Sequence, residues 1–268
     1  MSTTDKTALW DTMAERFRGY EEQTAANNDL IRLLEQKHLL TKDSRVLDLG
    51  CAAGKYSFYF AKHCKEVVGV DISSKMLENA EEVKKEQGFF NVTFLKGDWD
   101  EMDLDAVGGA GSFDLVFANM TPAVMTEEAL QKMMAASRRW CVFGGPAGRK
   151  RRVNDGVYQI FGLPLHLRKN EKRVPMVFGN VWTQGYLPEV FYIESHARWE
   201  MTTPKAFDYY LTTAQSMLRM QKGSAEVTDS QKEALRALLE RLQEHGSVRE
   251  ELDGRNAVLI WNITKKEE

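Results

Sequence analysis

Short apolar segments alternate with helical ones along the first half of the chain, and this alternation constrains the fold most strongly. The apolar segments predict strands over residues 45–49, 66–71, 91–96, 113–118 and 140–143. Between them, apolar residues recur every three or four positions, which is typical of amphipathic helices such as 73–87 and 127–137. Strands and helices at this rhythm indicate an α/β fold with a mostly parallel sheet that is covered on both faces.

The segments outside this alternation are less regular. Two helices are expected before the first strand, over 8–20 and 28–40, and the signals weaken after Pro146. Beyond that proline the pattern predicts short helices over 155–161 and 176–185, a strand over 189–195, helices over 203–219 and 229–244, and a strand over 256–262. The simplest account is a single domain with an insertion.

The composition predicts the class of protein, its cellular compartment and whether it binds a metal. With 43% apolar and 28% charged residues, the chain resembles an ordinary globular protein. No apolar run approaches the ~18 residues of a membrane helix, and the N-terminus lacks an apolar signal core, so we expect a cytoplasmic protein. The three cysteines, Cys51, Cys64 and Cys141, have neither metal-ligand nor disulfide spacing, and we expect no metal site.

The formal net charge of −3 conceals a basic segment. Residues 138–173 carry a formal charge of +8, which leaves −11 for the rest of the chain. The stretch Arg149–Arg152 within it could grip phosphates, as a nucleic-acid-binding surface does. The pI near 6.0 is low for that class of protein, and a basic loop can equally be solvated or recognise a small anionic substrate.

The tight turn after the first strand predicts a ligand site. The segment Val46-Leu-Asp-Leu-Gly50-Cys-Ala-Ala-Gly54 places glycines between a strand and a helix, where they allow positive φ and a close approach of a ligand to the backbone. Asp71 ends the next strand, 17 residues after Gly54, where an acid can accept both hydroxyls of a ribose. No G-x-G-x-x-G passes through the two glycines, and Asp48 would repel a pyrophosphate. A nucleoside with a cationic amino-acid group therefore fits better than a dinucleotide.

Four segments in order resemble the motifs of class I S-adenosylmethionine-dependent methyltransferases. Val46–Gly54 resembles the first motif, an acid followed by G-x-G-x-G, and Val68–Ser73 resembles the acid motif of the second strand. Leu95–Trp99 resembles the third motif and Phe113–Asn119 the fourth, so the set covers residues 45–120. The resemblance implies a three-layer, Rossmann-like methyltransferase sheet of seven strands, mostly parallel with the last antiparallel, plus N-terminal helices and a substrate-side insertion.

The same resemblance implies a division of the chain and a cofactor. We expect one methyltransferase domain over 1–268, composed of N-terminal helices (1–44), a cofactor-binding core (45–145), a substrate-side insertion (146–220), and a C-terminal helix and last strand (221–268). The implied cofactor is S-adenosyl-L-methionine, with S-adenosyl-L-homocysteine as its product.

Ten residues are implied as cofactor contacts: Asp48, Gly50, Cys51, Ala52, Gly54, Asp71, Ile72, Asp98, Trp99 and Asn119. The turn over 50–54 would line the methionine part, with Asp48 near its amino group, and Asn119 would face the transferring methyl. Ala52 replaces the middle glycine of the family pattern, and its methyl group is tolerable if the local φ is negative.

The adenosine part would meet the second and third strands. The resemblance implies that Asp71 holds the ribose hydroxyls and Ile72 packs on the adenine. Asp98 would accept a hydrogen bond from the adenine amino group, beside the Trp99 backbone. Each acid also has a simpler interpretation, since Asp71 could cap the following helix together with Ser73, and Asp98 could be an ordinary turn residue. Cys51 is interpreted as a packing residue rather than a nucleophile.

The acceptor is harder to predict, because methyl transfer from a sulfonium requires orientation more than a universal catalytic residue. The segment Asn119-Met-Thr-Pro122 stands where methyltransferases acting on nucleic-acid amino groups carry an Asn/Asp-Pro-Pro-aromatic motif, but it lacks the aromatic residue. Asn119 could also simply end its strand. A base, if one is needed, could come from residues of the insertion that should cover the pocket: Tyr158, His166, Tyr186, Tyr192 and His196.

We therefore expect S-adenosylmethionine-dependent methyl transfer to a small-molecule acceptor by in-line displacement. One alternative is an RNA or protein methyltransferase that uses the basic segment 149–152. Another is a cofactor-binding subunit that has lost catalysis and acts through a partner. The sequence predicts neither the acceptor atom nor the oligomeric state.

Overall fold

The apolar segments form the strands of one mixed sheet in a computed structural model, which describes residues 3–163 and 172–264. The strands are β1 (Arg45–Leu49), β2 (Glu66–Asp71), β3 (Val92–Lys96), β4 (Phe113–Asn119), β5 (Ser137–Arg151), β6 (Glu189–Thr202), β7 (Gln243–Glu244) and β8 (Ser247–Asn262). Their order is β3-β2-β1-β4-β5-β8-β6, and β7 pairs antiparallel with β8. The pairs among β1 to β5 are parallel. This architecture confirms the predicted α/β class, with the short β7 added to the seven strands.

Helices connect these strands. They are α1 (Thr3–Met13), α2 (Asp29–Gln36), α3 (Lys55–His63), α4 (Ser74–Gln87), α5 (Glu127–Ala136), α6 (Asn154–Ile160), α7 (Arg173–Thr183), α8 (Thr203–Lys222) and α9 (Asp229–Leu242), with 3-10 turns at Ala14–Phe17 and Leu104–Val107. Local signals fix several ends. Ser73 caps α4 by accepting a hydrogen bond from the Met76 N–H, and Gly88 ends the same helix with a φ of +71°. None of the helices in the described residues is both long and apolar enough to span a membrane.

Alternate residues of the parallel strands enter two hydrophobic cores, one on each face of the sheet. In β1, Leu47 and Leu49 contribute to one core, whereas Val46 contributes to the other. Burial on both faces explains why these strands are almost continuously apolar in sequence. The resulting arrangement of helix, sheet and helix is the predicted three-layer fold.

The chain separates into two compact units. The first contains Met1–Gly145, Val174–Ile193 and Ala257–Glu268, and the second contains Pro146–Arg173 and Glu194–Asn256. The second unit has its own apolar core, to which α6, α8 and α9 contribute. The expected single domain with an insertion over 146–220 stays a prediction.

Several predicted element boundaries were wrong. β5, β6 and β8 are 15, 14 and 16 residues long, much longer than the strands predicted at 140–143, 189–195 and 256–262, and each contributes residues to both units. At the N-terminus, the helix predicted over 8–20 is α1 followed by a 3-10 turn. The helix predicted over 28–40 ends at Gln36, just before His38 adopts a φ of +50°.

Candidate functional site

The carboxyl ends of four neighbouring strands bring polar side chains together. Asp98 follows β3, Asp71 ends β2, Asp48 lies near the end of β1, and Asn119 ends β4. Because the strand order is β3-β2-β1-β4 and neighbouring strands lie about 4.8 Å apart, these residues form a row along one sheet edge. The first three are carboxylates, and the row ends on an amide.

The glycine turn is held tightly against β2. The N–H groups of Gly50 and Cys51 donate to the Val70 carbonyl at 2.7 and 3.1 Å, and φ is +67° at Gly50 and +82° at Gly54. A Cβ atom on Gly50 would lie 1.9 Å from the Thr121 Oγ1. Packing within the protein therefore demands glycine there, in addition to any requirement of a ligand.

Ala52 is strained in this turn. Its φ is +48°, so the negative φ under which its methyl group was expected to be tolerable is not what the structure has. A left-handed conformation costs a non-glycine residue roughly 1–2 kcal/mol. The Ala52 N–H donates to Asp71 Oδ2 at 2.9 Å, which holds the turn in place despite the strain.

Asp71 keeps acceptor capacity for a ligand. One oxygen accepts from the Ala52 N–H and the other from the Ser73 N–H, both at 2.9 Å, which occupies about half of the four acceptor positions of a carboxylate. Burial raises the pKa of Asp71 despite these hydrogen bonds. Because the Ser73 hydroxyl caps α4, Asp71 does not serve as the cap itself. Ile72 is half-buried and leaves apolar surface accessible beside it.

Asp48 is a buried acid beside the turn. Its side chain accepts a hydrogen bond from Ser57 Oγ at 2.6 Å, and burial raises its pKa to about 7. A cation placed next to it would favour the charged form and lower this pKa. Burial also raises the pKa of the Cys51 thiol, with Asp48 and Asp71 adding to the effect, so the thiol stays protonated and serves packing.

Asp98 is engaged by α1. Its Oδ2 accepts from Lys6 Nζ at 2.8 Å and from Thr3 Oγ1 at 3.2 Å. Burial alone would raise the pKa of Asp98, but these hydrogen bonds and the charge of Lys6 outweigh it and lower the pKa. The Trp99 side chain is buried and donates to the Ala129 carbonyl at 3.1 Å, so only its backbone can line the site.

A second contact also holds α1 at this edge. Asp11 accepts a hydrogen bond from the Ser73 hydroxyl at 2.5 Å. The helix therefore lies across the carboxyl ends of β2 and β3. Tyr20 packs instead against Phe58 and Phe89 on the α3 side of the sheet.

Sequence reasoning missed Tyr56 and Asn28. The Tyr56 ring packs on Phe117 with centroids 5.2 Å apart, and its hydroxyl lies 3.5 Å from Asn28 Nδ2 and within reach of the Asn119 amide. Tyr56 follows the glycine turn by two residues, and Asn28 precedes an apolar helix as its cap. Both positions could therefore have been recognised from the sequence. Their meeting at the site was not visible, because 28 residues separate them.

Comparison with known families identifies the core. Residues 40–157, which include all of β1 to β5, match the family model described as a methyltransferase domain. The four ordered motifs and the row of acids lie within this range. This part of the chain is similar to a methyltransferase domain.

The curated relatives of this chain differ in what they act on. A protein-L-isoaspartate O-methyltransferase from Myxococcus xanthus is 28% identical over 159 residues, which are 58% of this chain and 66% of that protein. Protein arginine N-methyltransferase 1 from Saccharomyces cerevisiae is 34% identical over 114 residues, which are 38% of this chain and 32% of that protein. The chain thus spans less than two thirds of the length of either curated relative.

Solved structures share the fold. The YcgJ protein from Bacillus subtilis is 16% identical and superimposes with a TM-score of 0.51, covering 88% of this chain and 98% of that one.

The residues of the row fit S-adenosylmethionine. The buried Asp48 suits the ammonium group of an amino acid, and Asp71 has acceptor positions for two ribose hydroxyls. Asp98 can accept from an amino group once Lys6 gives way. These three carboxylates would attract a cation rather than a pyrophosphate. This agrees with the sequence, in which no G-x-G-x-x-G motif passes through the two glycines of the turn.

The residues predicted as candidates for a general base differ in their surroundings. Tyr158 is buried in the core of the second unit, where burial raises its pKa to about 12, so it is unsuited to accept a proton. His196 pairs with Asp253 at 2.7 Å in the second unit. Tyr186 packs against the core of the first unit, and Tyr192 is exposed on β6. His166 lies outside the described residues.

Proposed function

We propose that this chain transfers a methyl group from S-adenosylmethionine to a small-molecule acceptor by in-line displacement. The observation that supports this most directly is the row of Asp98, Asp71 and Asp48 at the ends of three adjacent parallel strands, beside a turn with two glycines at positive φ. When bound, S-adenosylmethionine supplies a methyl carbon made electrophilic by the sulfonium. The chain's contribution is to bind and orient.

Each part of the row has its own role in this proposal. Asp98 accepts a hydrogen bond from the adenine amino group, and Asp71 holds both ribose hydroxyls, with Ile72 against the adenine. Asp48 neutralises the ammonium group, and this interaction draws the proton off a carboxyl whose pKa is about 7. The backbone over 50–54 lines the methionine chain.

The amide end of the row faces the acceptor. Asn119 ends β4, and a Cβ atom on Gly144 would lie 2.0 Å from its Oδ1, so the absence of a side chain at Gly144 lets the amide sit there. Asn119 is the polar group that we place nearest the transferred methyl. A neutral amide suits an acceptor that arrives as a neutral amine, hydroxyl or carbon nucleophile.

The state of the basic segment favours a small molecule over nucleic acid. Arg138 donates two hydrogen bonds of 2.7 Å to Asp114, and Arg173 is buried. Arg151 lies over the Trp199 ring at 5.9 Å. The cations counted in sequence are thus partly committed to the protein itself, which leaves fewer for a chain of phosphates. The segment 146–220 is proposed to supply acceptor contacts, and 45–145 the cofactor contacts.

Protein and RNA acceptors are the competing candidates. The isoaspartate and arginine methyltransferases named above act on proteins, and the chain is similar to both over part of its length. A binding subunit without catalysis is the third candidate. The protein and RNA candidates share the proposed cofactor site and differ only in the acceptor, whereas the non-catalytic subunit would bind the cofactor without transferring its methyl group.

The test separates cofactor binding from transfer. Calorimetry with S-adenosylhomocysteine should give saturable one-to-one binding, whereas NAD should give none. The protein is then incubated with methyl-labelled S-adenosylmethionine and an extract divided into small-molecule, protein and RNA fractions. Label in the small-molecule fraction is expected. Label in the protein or RNA fraction contradicts the small-molecule proposal, binding without transfer supports the non-catalytic subunit, and no binding rejects the site itself.

A further inference from the structure

The strand β6 forms a long, open edge of the sheet. It is the last strand of the order, and among the described residues no strand pairs with the edge that faces away from β8, which we call the outer edge. The strand runs for 14 residues without a proline. Proteins that stay monomeric usually keep such an edge short or interrupt it with proline or a bulge, because its free N–H and C=O groups can pair with another chain. The length of the outer edge therefore favours pairing with a further strand.

The pairing of β6 with β8 fixes which backbone groups point outward. Three side chains on one face of β6 pair in reverse order with three on β8: Glu194 with Arg255, His196 with Asp253, and Arg198 with Glu251. In the same antiparallel register, the Thr203 N–H donates to the Gly246 carbonyl at 2.9 Å. Successive residues of a strand direct their N–H and C=O groups to opposite edges. The even-numbered residues of β6 therefore direct these groups to the outer edge.

The charged side chains along this edge are complementary to those of a second copy. Charges on an edge strand discourage pairing when like charges meet. When two β6 strands pair antiparallel with His196 opposite His196, however, Glu194 of each copy lies opposite Arg198 of the other. Arg198 is 79% exposed and its Nε lies 3.6 Å from Glu251, which leaves other guanidinium N–H groups for a second carboxylate. Both charge pairs would stabilise this register.

Other registers fit less well. A shift by two residues in one direction sets Glu194 opposite Glu200, and like charges directly opposite each other are destabilising. A shift by two residues in the other direction separates Glu194 from Arg198 in both copies. A shift by one residue sets backbone groups that point to the outer edge opposite groups that point to β8, so the hydrogen bonds are lost. The register centred on His196 is therefore the one that the charges and the backbone both favour.

We propose that this chain forms a two-fold symmetric dimer in which β6 pairs antiparallel with β6 of a second copy, centred on His196. Glu194, His196 and Arg198 exchange backbone hydrogen bonds with the second copy, and the two Glu194–Arg198 pairs set the register. The same surface is used by both copies, so the contact closes on itself and assembly stops at two. The inference goes beyond the proposed methyl transfer and does not depend on it.

Proline at the centre tests the backbone pairing. Sedimentation velocity on the full chain, over a range of protein concentrations, should show a dimer for the wild type. His196→Pro removes an N–H that points to the outer edge, where a strand tolerates proline, and it leaves the hydrogen bonds to β8 in place. This variant should keep the circular dichroism of the wild type and weaken the dimer about tenfold or more, because the central pair loses two hydrogen bonds. The matched control His196→Ala keeps the N–H, and its dimer should stay within about threefold of the wild type.

Cysteine at the centre tests the register. In the proposed dimer the two His196 Cα atoms lie about 5.5 Å apart, as in any hydrogen-bonded antiparallel pair, and this separation suits a disulfide. With oxidised glutathione, His196→Cys should therefore form a disulfide-linked dimer. Glu200→Cys places a thiol on the same face of β6 but opposite Tyr192 of the second copy, and it should not link. The three native cysteines are buried, so the wild type gives the background.

The outcomes decide between this dimer and its alternatives. Loss of the dimer in His196→Pro but not in His196→Ala, with linkage confined to His196→Cys, supports the proposal. A wild type that stays monomeric overturns it, and so does a dimer that His196→Pro leaves unchanged, since that dimer would use another surface. Equal linkage of Glu200→Cys and His196→Cys overturns the register. If His196→Pro fails to fold, the two cysteine variants decide alone.

Discussion

Replacing Asp48 with asparagine should change how stability depends on pH. Burial raises the pKa of Asp48 to about 7, whereas an aspartate in the unfolded chain titrates near 4. The native state therefore binds this proton more tightly than the unfolded state, and native stability falls as the pH rises from about 4 to about 7. The gap between the two pKa values corresponds to on the order of 4 kcal/mol of unfolding free energy above pH 7.

Asparagine removes the charge and keeps the shape. Its carbonyl can still accept from Ser57 Oγ, so Asp48→Asn should gain stability relative to wild type as the pH rises, by roughly 3 kcal/mol between pH 5 and pH 8. Urea unfolding followed by tryptophan fluorescence at a series of pH values measures this directly. A difference between the two proteins that is the same at pH 5 and pH 8 would refute the reasoning.

Asp114→Asn provides a control with the opposite shift. Burial alone would raise the pKa of Asp114, but hydrogen bonds from Arg138 and from the Arg45 N–H outweigh it and lower the pKa. The stability contributed by such a group is present above the pKa of the unfolded state and is lost only in acid. Asp114→Asn should therefore be destabilised by a constant amount across pH 5 to 8.

The same carboxylate should govern cofactor affinity. If ionised Asp48 binds the ammonium group, the wild-type affinity for S-adenosylhomocysteine should rise about tenfold from pH 6 to pH 8, because the ionised fraction rises by about that factor around a pKa of 7. Asp48→Asn should bind more weakly and with little pH dependence. Greater stability and weaker binding in one variant would mark Asp48 as a residue retained for its ligand.

Three other substitutions test separate features. Ala52→Gly should raise the unfolding free energy by about 0.5–1 kcal/mol in urea unfolding, because the relief of positive-φ strain in the folded state exceeds the added freedom of the unfolded chain. A lower unfolding free energy for Ala52→Gly would contradict the claim that Ala52 is strained. Lys6→Met should tighten S-adenosylhomocysteine binding up to about fivefold in calorimetry, because it removes the ion pair that occupies Asp98. Weaker binding would show that Lys6 assists the ligand instead. Glu250→Gln should cost about 3 kcal/mol or more in urea unfolding, because this buried carboxylate accepts three backbone N–H groups and the Tyr210 hydroxyl. A loss of unfolding free energy no larger than that of Tyr210→Phe would contradict this reasoning.

Much of the first unit could be predicted because its signals are local. β2 has the predicted bounds, and α4 begins after Ser73 and ends before Gly88 because a serine cap and a glycine stop act within a few residues. The acids of the row were predictable for a related reason. Once the strands are parallel and adjacent, residues at their carboxyl ends must meet at one edge of the sheet.

The long strands could not be predicted because their pairing is not local. Gly144-Gly145-Pro146 has the composition of a stop, yet β5 continues through it to Arg151. The register between β4 and β5 ends where Asn119 pairs with Gly144, so Pro146 has no hydrogen bond to β4 to lose. Partners distant in sequence therefore decide how far the strand runs.

The side-chain contacts at the site were unpredictable for the same reason. The pairing of Lys6 with Asp98 and the approach of Asn28 to Tyr56 join segments far apart in sequence. The φ of +48° at Ala52 also depends on its hydrogen bond to Asp71, across 19 residues. The sequence indicates which residue types lie at the carboxyl edge of the sheet. Only the folded chain shows which of them are hydrogen-bonded to one another.

A crystal structure of the protein with S-adenosylhomocysteine tests the central claim most directly. The claim predicts the ligand along the row, with its adenine amino group on Asp98, its ribose hydroxyls on Asp71 and its ammonium group beside Asp48. A ligand bound elsewhere, or one lying at this edge without contact to Asp71, would contradict it.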